Sequence, residues 1–160
     1  MASDCYACRL TSGEEVPPGG RIFATRHWVV EHCTGPLGTG TLIVKPLRHC
    51  LHLWDLSSAE AEELGPLIQL VSSVIRDLTN ADQVYACLWS HAGWVPVHIH
   101  FVLQPSWNHL QQQYPFPGPS IQVAMFMSDA PLDVSAVEDF CQRARRMLQE
   151  RGQHQQHPAS

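Results

Sequence analysis

Apolar residues along the chain fall into several short runs of strand type and two longer stretches of helical period. Residues 21–24 and 27–31 are short β-type segments joined by Thr25-Arg26, a pattern that predicts a hairpin. Residues 41–46 read T-L-I-V-K-P, a strand closed by a proline that cannot donate to a central ladder. Ser57 followed by Glu60 forms a capping box. Beyond it, Leu64, Leu67, Ile68, Val71, Val74, Ile75 and Leu78 recur at helical spacing, predicting one helix over 57–79 that Pro66 can bend. Residues 84–89 and the apolar run from Val97 predict two antiparallel strands across a tight loop, and 121–127 reads as a further strand. Asp133 or Ser135 caps a last helix with Val137, Phe140, Ala144 and Leu148 on one face and Arg143, Arg145 and Arg146 toward its C-terminal half. The sum is an α+β fold: an antiparallel sheet of about five strands, one long helix packed on it, and a C-terminal helix. Residues 1–150 read as a single domain and 151–160, almost without apolar side chains, as a disordered tail.

One strand carries more than packing. Residues 94–107 read W-V-P-V-H-I-H-F-V-L-Q-P-S-W. Alternation puts His98, His100, Val102 and Gln104 on one face and Ile99, Phe101 and Leu103 on the other. The second face suits a core. Two imidazoles and an amide on the first are costly to bury idle, so that face reads as one that binds or catalyses, against the plainer reading of a solvated sheet face.

Composition narrows the choice. The chain has 160 residues, 44% of them apolar, and a formal net charge of −5. That balance argues against sequence-blind binding to nucleic acid polymers, which needs many Lys and Arg on phosphates, but not against a small nucleotide in a local pocket. No apolar run reaches membrane-spanning length and no leader is evident, so the expected setting is cytoplasmic, with no membrane partner. In that setting six cysteines read as ligands or core residues before they read as disulfides.

Cys5 and Cys8 form a CxxC at the start of the chain, which could be half a zinc site, a redox pair or an accident. A redox pair normally follows a strand, and none precedes it, which favours metal. Zinc takes four N or S donors, commonly a CxxC and two histidines. His49, just after the proline-ended strand, and His98 complete such a set. All four zinc positions are then protein ligands, so the metal is structural. His100, one pleat beyond His98, stands beside it as a candidate nucleophile or general acid/base.

These segments resemble the histidine triad (HIT) superfamily of nucleotide hydrolases and nucleotidyl transferases, in the zinc-containing branch that includes diadenosine tetraphosphate hydrolases. The resemblance lies in the CxxC, in G-T-L-I-V-K-P-L-R-H over residues 40–49, and in V-P-V-H-I-H-F-V-L-Q-P-S-W over 95–107. It implies Cys5, Cys8, His49 and His98 as zinc ligands and His100 as the nucleophile that attacks an α-phosphorus and carries a nucleotidyl intermediate. It also implies a small-molecule nucleotide substrate and a homodimer. In this register Val102 stands where the family has its third histidine, Thr41 where it has a histidine before the strand, and Cys33 where it has an acidic ribose ligand, with Glu31 nearby. An alternative register makes His98 the nucleophile and Pro96 the missing first histidine. The first register aligns Pro105 and Trp107 with the family's P-x-W and completes four ligands. By position, Ser90, Gly93 and Gln104 are candidate phosphate donors, and Ile22, Phe23, Trp28 or Leu42 could line a base pocket. The competing function is a nucleotide-binding protein on a zinc-stapled scaffold with weak or no catalysis. A redox protein using Cys5 and Cys8 is a third.

Overall fold

The computed structural model describes residues 5–90, 98–114 and 118–156. The elements are α1 (Tyr6–Ser12), β1 (Arg21–Ala24), β2 (Trp28–His32), β3 (Leu42–Pro46), α2 (Ser58–Thr79), β4 (Gln83–Trp89), β5 (His100–Ser106), α3 (Asn108–Gln113), α4 (Ser120–Ser128) and α5 (Val134–Gln156). The five strands form one antiparallel sheet, as the hydrophobic pattern predicts, and their order is β1-β2-β3-β5-β4. β2 and β3 are joined directly by a turn, whereas β5 follows α2 and β4 in the chain and enters the sheet between β3 and β4.

One sheet face is the main core. Trp28, Val30, Leu42, Val44 and Leu103 project onto α2 and α5, meeting Leu67, Val71, Val74 and Ile75 of α2 and Val137, Phe140, Ala144 and Leu148 of α5. Nearly all of these are fully buried, and each such side chain contributes roughly 1.5–3 kcal/mol. Leu103 belongs to this core and Phe101 packs against it, as the alternation foresees; Ile99 is buried but precedes β5 and lies outside this cluster. The four side chains suggested for a base pocket do not line one: Ile22, Trp28 and Leu42 belong to this core and Phe23 packs against it. Their apolar character is spent on α2 and α5.

α2 starts at the expected capping box. Ser57 Oγ accepts from Glu60 N at 3.3 Å, and Ser57 N donates to Glu60 Oε2 at 2.7 Å. Arg48 then grips the same carboxylate with Nε at 2.6 Å and a terminal nitrogen at 2.9 Å. That grip is the main reason the Glu60 carboxyl is held down at about 2. It also ties the turn after β3, which carries His49, to the N-terminus of the long helix.

Two expectations fail. Residues 121–127 lie in helix α4, not in a strand. A seven-residue apolar run does not distinguish the two, and Gln, Ala and Met favour a helix. Ile121 and Gln122 face inward while Val123 and Met127 are exposed, a helical and not an alternating division. The polar residues after 150 are not a tail throughout: α5 runs to Gln156, and Arg151 binds Asp77 at 2.6 Å and Ser73 Oγ at 3.0 Å, tying it to α2. The cap on α5 is the predicted Asp133, whose Oδ1 accepts from Ala136 N at 3.0 Å.

Candidate active site and metal centre

The second sheet face carries the polar chemistry, and the register arranges it in rows. Trp89 lies opposite His100, Cys87 opposite Val102 and Tyr85 opposite Gln104 across β4 and β5. Ile43 lies opposite Val102 across β3 and β5, and Glu31 opposite Ile43 across β2 and β3. Above these rows lie α1 at one end and α4 at the other.

α1 begins at Cys5, whose extended backbone (φ −86°, ψ 114°) makes it the N-cap, and closes at Gly13 in the left-handed region (φ 82°). One turn of helix therefore brings both thiols to the same side. Cys8 Sγ lies 3.2 Å from His49 Nδ1 and 3.5 Å from His98 Nδ1, and Cys5 Sγ lies 3.6 Å from His98 Nδ1. The four ligand atoms lie within 4.8 Å of one another. Zinc bonds of about 2.3 Å to sulfur and about 2.0 Å to nitrogen separate tetrahedral S and N donors by about 3.5 Å. The set fits that geometry without rearrangement. The four residues grouped from zinc's donor preference and the family resemblance are thus one cluster, and its donor chemistry is that of a closed, structural zinc site.

The electrostatics agree. Burial pushes His98 down to about 4, so its imidazole is neutral and able to ligate. Its Nε2 donates to the Pro46 carbonyl at 3.2 Å, which leaves the Nδ1 lone pair directed at the thiols. Burial and then the adjacent Cys5 push the Cys8 thiol up to about 11. Two thiolates here need a divalent cation as counter-charge.

His100 is placed otherwise. Its Nδ1 donates to the His98 carbonyl at 3.0 Å, which fixes the tautomer and leaves the lone pair on Nε2. The ring lines a cavity of about 250 Å³ between the sheet, α1 and α4. Tyr6, Leu10, Leu37, Ile43, Trp89 and Phe126 give it apolar and aromatic walls. Trp89 and Phe126 meet at 5.6 Å between ring centres. Gln122, 1% exposed, pins α4 in place: its Oε1 accepts from Trp89 Nε1 at 2.9 Å, and its Nε2 donates to the carbonyls of Tyr85 and Val102.

The other candidates divide. Gln104 is fully buried and does not line the cavity; its amide nitrogen binds the Leu37 carbonyl at 3.1 Å and Met125 Sδ at 3.0 Å, so it braces the loop and α4. It shares the histidine face, but the Leu37 loop lies over it. Ser90 follows Trp89 and is not a lining residue. Gly93, with the rest of the 91–97 loop and Pro96, lies outside the described residues. Val102 is 2% exposed beneath the cavity and supplies no proton. Cys33 lines the cavity as a neutral thiol, pushed up to about 11 by burial, and accepts from Gly35 N at 3.3 Å.

Sequence reasoning missed Lys45 and the aromatic walls. Lys45 Nζ and Glu31 Oε2 meet at 2.6 Å with both side chains almost wholly buried. The signal was present, a single charge inside T-L-I-V-K-P, but a strand pattern does not say what its lysine reaches. Tyr6, Leu10 and Phe126 come from helices whose position over the sheet no local pattern encodes.

No protein-family model and no curated protein matches the sequence. Solved structures do match its fold. A hypothetical histidine triad nucleotide-binding protein from Sulfolobus tokodaii superposes with a TM-score of 0.70 at 18% identity, over 94% of this chain and 95% of that one. A Zn-bound histidine triad family protein from Mycobacterium smegmatis gives 0.67 at 19% identity, over 96% and 99%. A Hit-like protein involved in cell-cycle regulation from Bartonella henselae gives 0.69 at 14% identity, over 92% and 97%. At these identities the likeness is one of fold. The chain has the architecture of histidine triad proteins over nearly its whole length. Among the described residues no helix is long and apolar enough to cross a membrane.

Proposed function

We propose that this chain binds a nucleotide in the His100 cavity and cleaves a nucleoside phosphoanhydride of the dinucleoside polyphosphate kind, as a hydrolase or nucleotidyl transferase. The observation that carries the reading is the His100 imidazole, fixed by the His98 carbonyl so that Nε2 carries its lone pair, on the wall of an aromatic cavity beside a four-donor metal cluster. Nε2 attacks the α-phosphorus in line. An N–P bond forms, the bridging P–O bond breaks, and the electron pair leaves with the distal phosphate. The ring becomes cationic as it bonds phosphorus, and the Nδ1–H to His98 carbonyl bond strengthens with that charge. Water or a second acceptor then takes the nucleotidyl group and restores the imidazole.

Val102 sharpens the substrate class. With no imidazole at that position to protonate the departing oxygen, the leaving group has to depart as an anion. A phosphate does so readily and an alkoxide does not, so anhydrides are favoured over simple esters. Cys5, Cys8, His49 and His98 would hold a zinc whose part is structural, and ligation there would fix His98, whose carbonyl accepts from His100 Nδ1. The backbone near Ser90 and Gly93 is the candidate donor of hydrogen bonds to the phosphate oxygens. A homodimer and a cytoplasmic setting belong to the same reading by resemblance.

The test is chemical trapping. Incubation with diadenosine tetraphosphate and an acid-free quench should yield a protein heavier by one adenylyl group, mapped to His100 by peptide mass spectrometry. His100→Ala should abolish the adduct with zinc content and fold retained. An adduct on His98, or turnover undiminished in His100→Ala, overturns the assignment. The second reading, a nucleotide-binding protein without catalysis, is favoured by the neutral Cys33 and Val102 at positions where the resembling family carries acidic and basic groups. Measurable nucleotide binding with no adduct from any dinucleotide would select it.

A further inference from the structure

Lys45 is the one Lys or Arg among the described residues that line the cavity, and Glu31 is the one acidic residue. Both are 2% exposed. A buried ion pair recovers the cost of desolvating two charges poorly, and apolar residues of similar volume often serve a fold at least as well. The pair is therefore better read as serving the cavity than as holding the sheet. Geometry places it there: Lys45 and His100 line the same cavity, and Lys45 Nζ reaches Ala7 O of α1 on its wall.

The ammonium has three N–H donors. One binds Glu31 Oε2 at 2.6 Å and one the Ala7 carbonyl at 3.0 Å. No other described residue takes the third. Of the other polar groups around the cavity, His98 belongs to the metal cluster and donates to the Pro46 carbonyl, His32 donates to the Cys33 carbonyl and accepts from Gly40 N, and Cys33 is a thiol kept neutral by burial. An anion bound beside His100 thus finds its only cationic side chain, among the described residues, at Lys45.

We propose that Lys45 is the anion-binding group of this cavity: held at rest between Glu31 and the Ala7 carbonyl, it donates to a phosphoryl oxygen of the ligand and supplies the positive charge that Val102 cannot. This deepens the reading above and rests on it for the ligand class. Glu31 sets the strength of the interaction by neutralising part of the lysine's charge, so the two residues have opposite effects on anion affinity.

Calorimetric titration of the zinc-loaded protein with adenosine monophosphate and, separately, with adenosine tests this without turnover. The wild type should prefer the monophosphate. Lys45→Met should lower its affinity for the monophosphate about ten- to hundred-fold, the scale of one hydrogen bond to a charged group, and leave adenosine unchanged. Glu31→Gln, whose amide still accepts from the ammonium without cancelling its charge, should tighten the monophosphate relative to adenosine. Should Lys45→Met fail to fold, Lys45→Arg and Glu31→Gln decide: the first should keep the preference and the second should increase it. Three results overturn the proposal: a wild type that binds the monophosphate no better than adenosine, including no binding of either; parallel loss of both ligands in Lys45→Met, which would make Lys45 only a strut for α1; or an unchanged ratio in Glu31→Gln. Lack of a His100 adduct with the preference intact sinks the transfer chemistry and leaves Lys45 standing. An adduct with no such preference does the reverse.

Discussion

Removing the metal should unfasten α1 while leaving the rest of the domain folded. α1 is seven residues long and contains no fully buried side chain; only its cap, Cys5, is buried, at 1% exposed. A helix this short does not hold in water by itself. Its remaining tethers are the Lys45 hydrogen bond to Ala7 O, an exposed hydrogen bond from Arg21 to Thr11 O at 2.7 Å, and partial burial of Tyr6 and Leu10 against the cavity. Those contacts together amount to roughly 2 kcal/mol, which is comparable to the entropy of fixing two of its residues. The main core of β-sheet, α2 and α5 shares none of the four ligands. Zinc at a thousand times its dissociation constant stabilises the loaded state by about 4 kcal/mol. For a chain of this length that corresponds to roughly 8–16 °C in the melting midpoint. The assay is a melting curve with and without a strong chelator, joined to hydrogen exchange on peptides covering residues 5–12. Chelation, or Cys8→Ser, should lower the midpoint by that amount, remove stoichiometric zinc and erase amide protection in α1, with protection in α2 retained. Full α1 protection in metal-free protein would refute the reasoning, as would loss of α2 protection in the same step.

Two further perturbations separate parts of the scaffold. The Glu60 carboxyl, held at about 2 against an ordinary 4.5 chiefly by Arg48, favours the folded state above the ordinary value, and its contribution fades as pH falls from about 4.5 toward 2. Arg48 is half exposed and the pair screened, so Glu60→Gln should cost about 1–2 kcal/mol at pH 7, cap included, with the gap closing near pH 2; equal gaps in urea midpoints at both pH values would contradict it. Gln122→Leu leaves Trp89 Nε1 and the carbonyls of Tyr85 and Val102 without their side-chain partner, for a loss of about 2–3 kcal/mol. Because α4 carries Phe126 into the cavity wall, nucleotide affinity should fall with it, and an unchanged dissociation constant would show that α4 is not part of the binding wall.

What could be read from the sequence follows the range of the forces involved. The strands before residue 110, the capped α2 and the division of β5 into a core face and a histidine face are local consequences of period and cap chemistry, and all were legible. The metal cluster was legible too, although His98 is 93 positions from Cys5, because few donor sets satisfy zinc and a CxxC with two strand-end histidines is one of them. α4 was not, since a short apolar run fits helix and strand alike until Gln122 is seen holding Trp89. Gln104 misled for a related reason: alternation gives the face a side chain takes, not what covers it, and the Leu37 loop covers this one. The same limit hid the pairing most relevant to chemistry. Glu31 and Lys45 are separated by a loop whose turn at Gly40 (φ 93°) brings β3 back along β2, and a Cβ there would meet Thr79 Cγ2 at 3.0 Å. The β2–β3 register that follows this turn places one lysine beside a carboxylate and on the wall of the cavity that His100 lines. A one-residue slip would turn Lys45 into the core of Trp28 and Val44, where no partner could neutralise it.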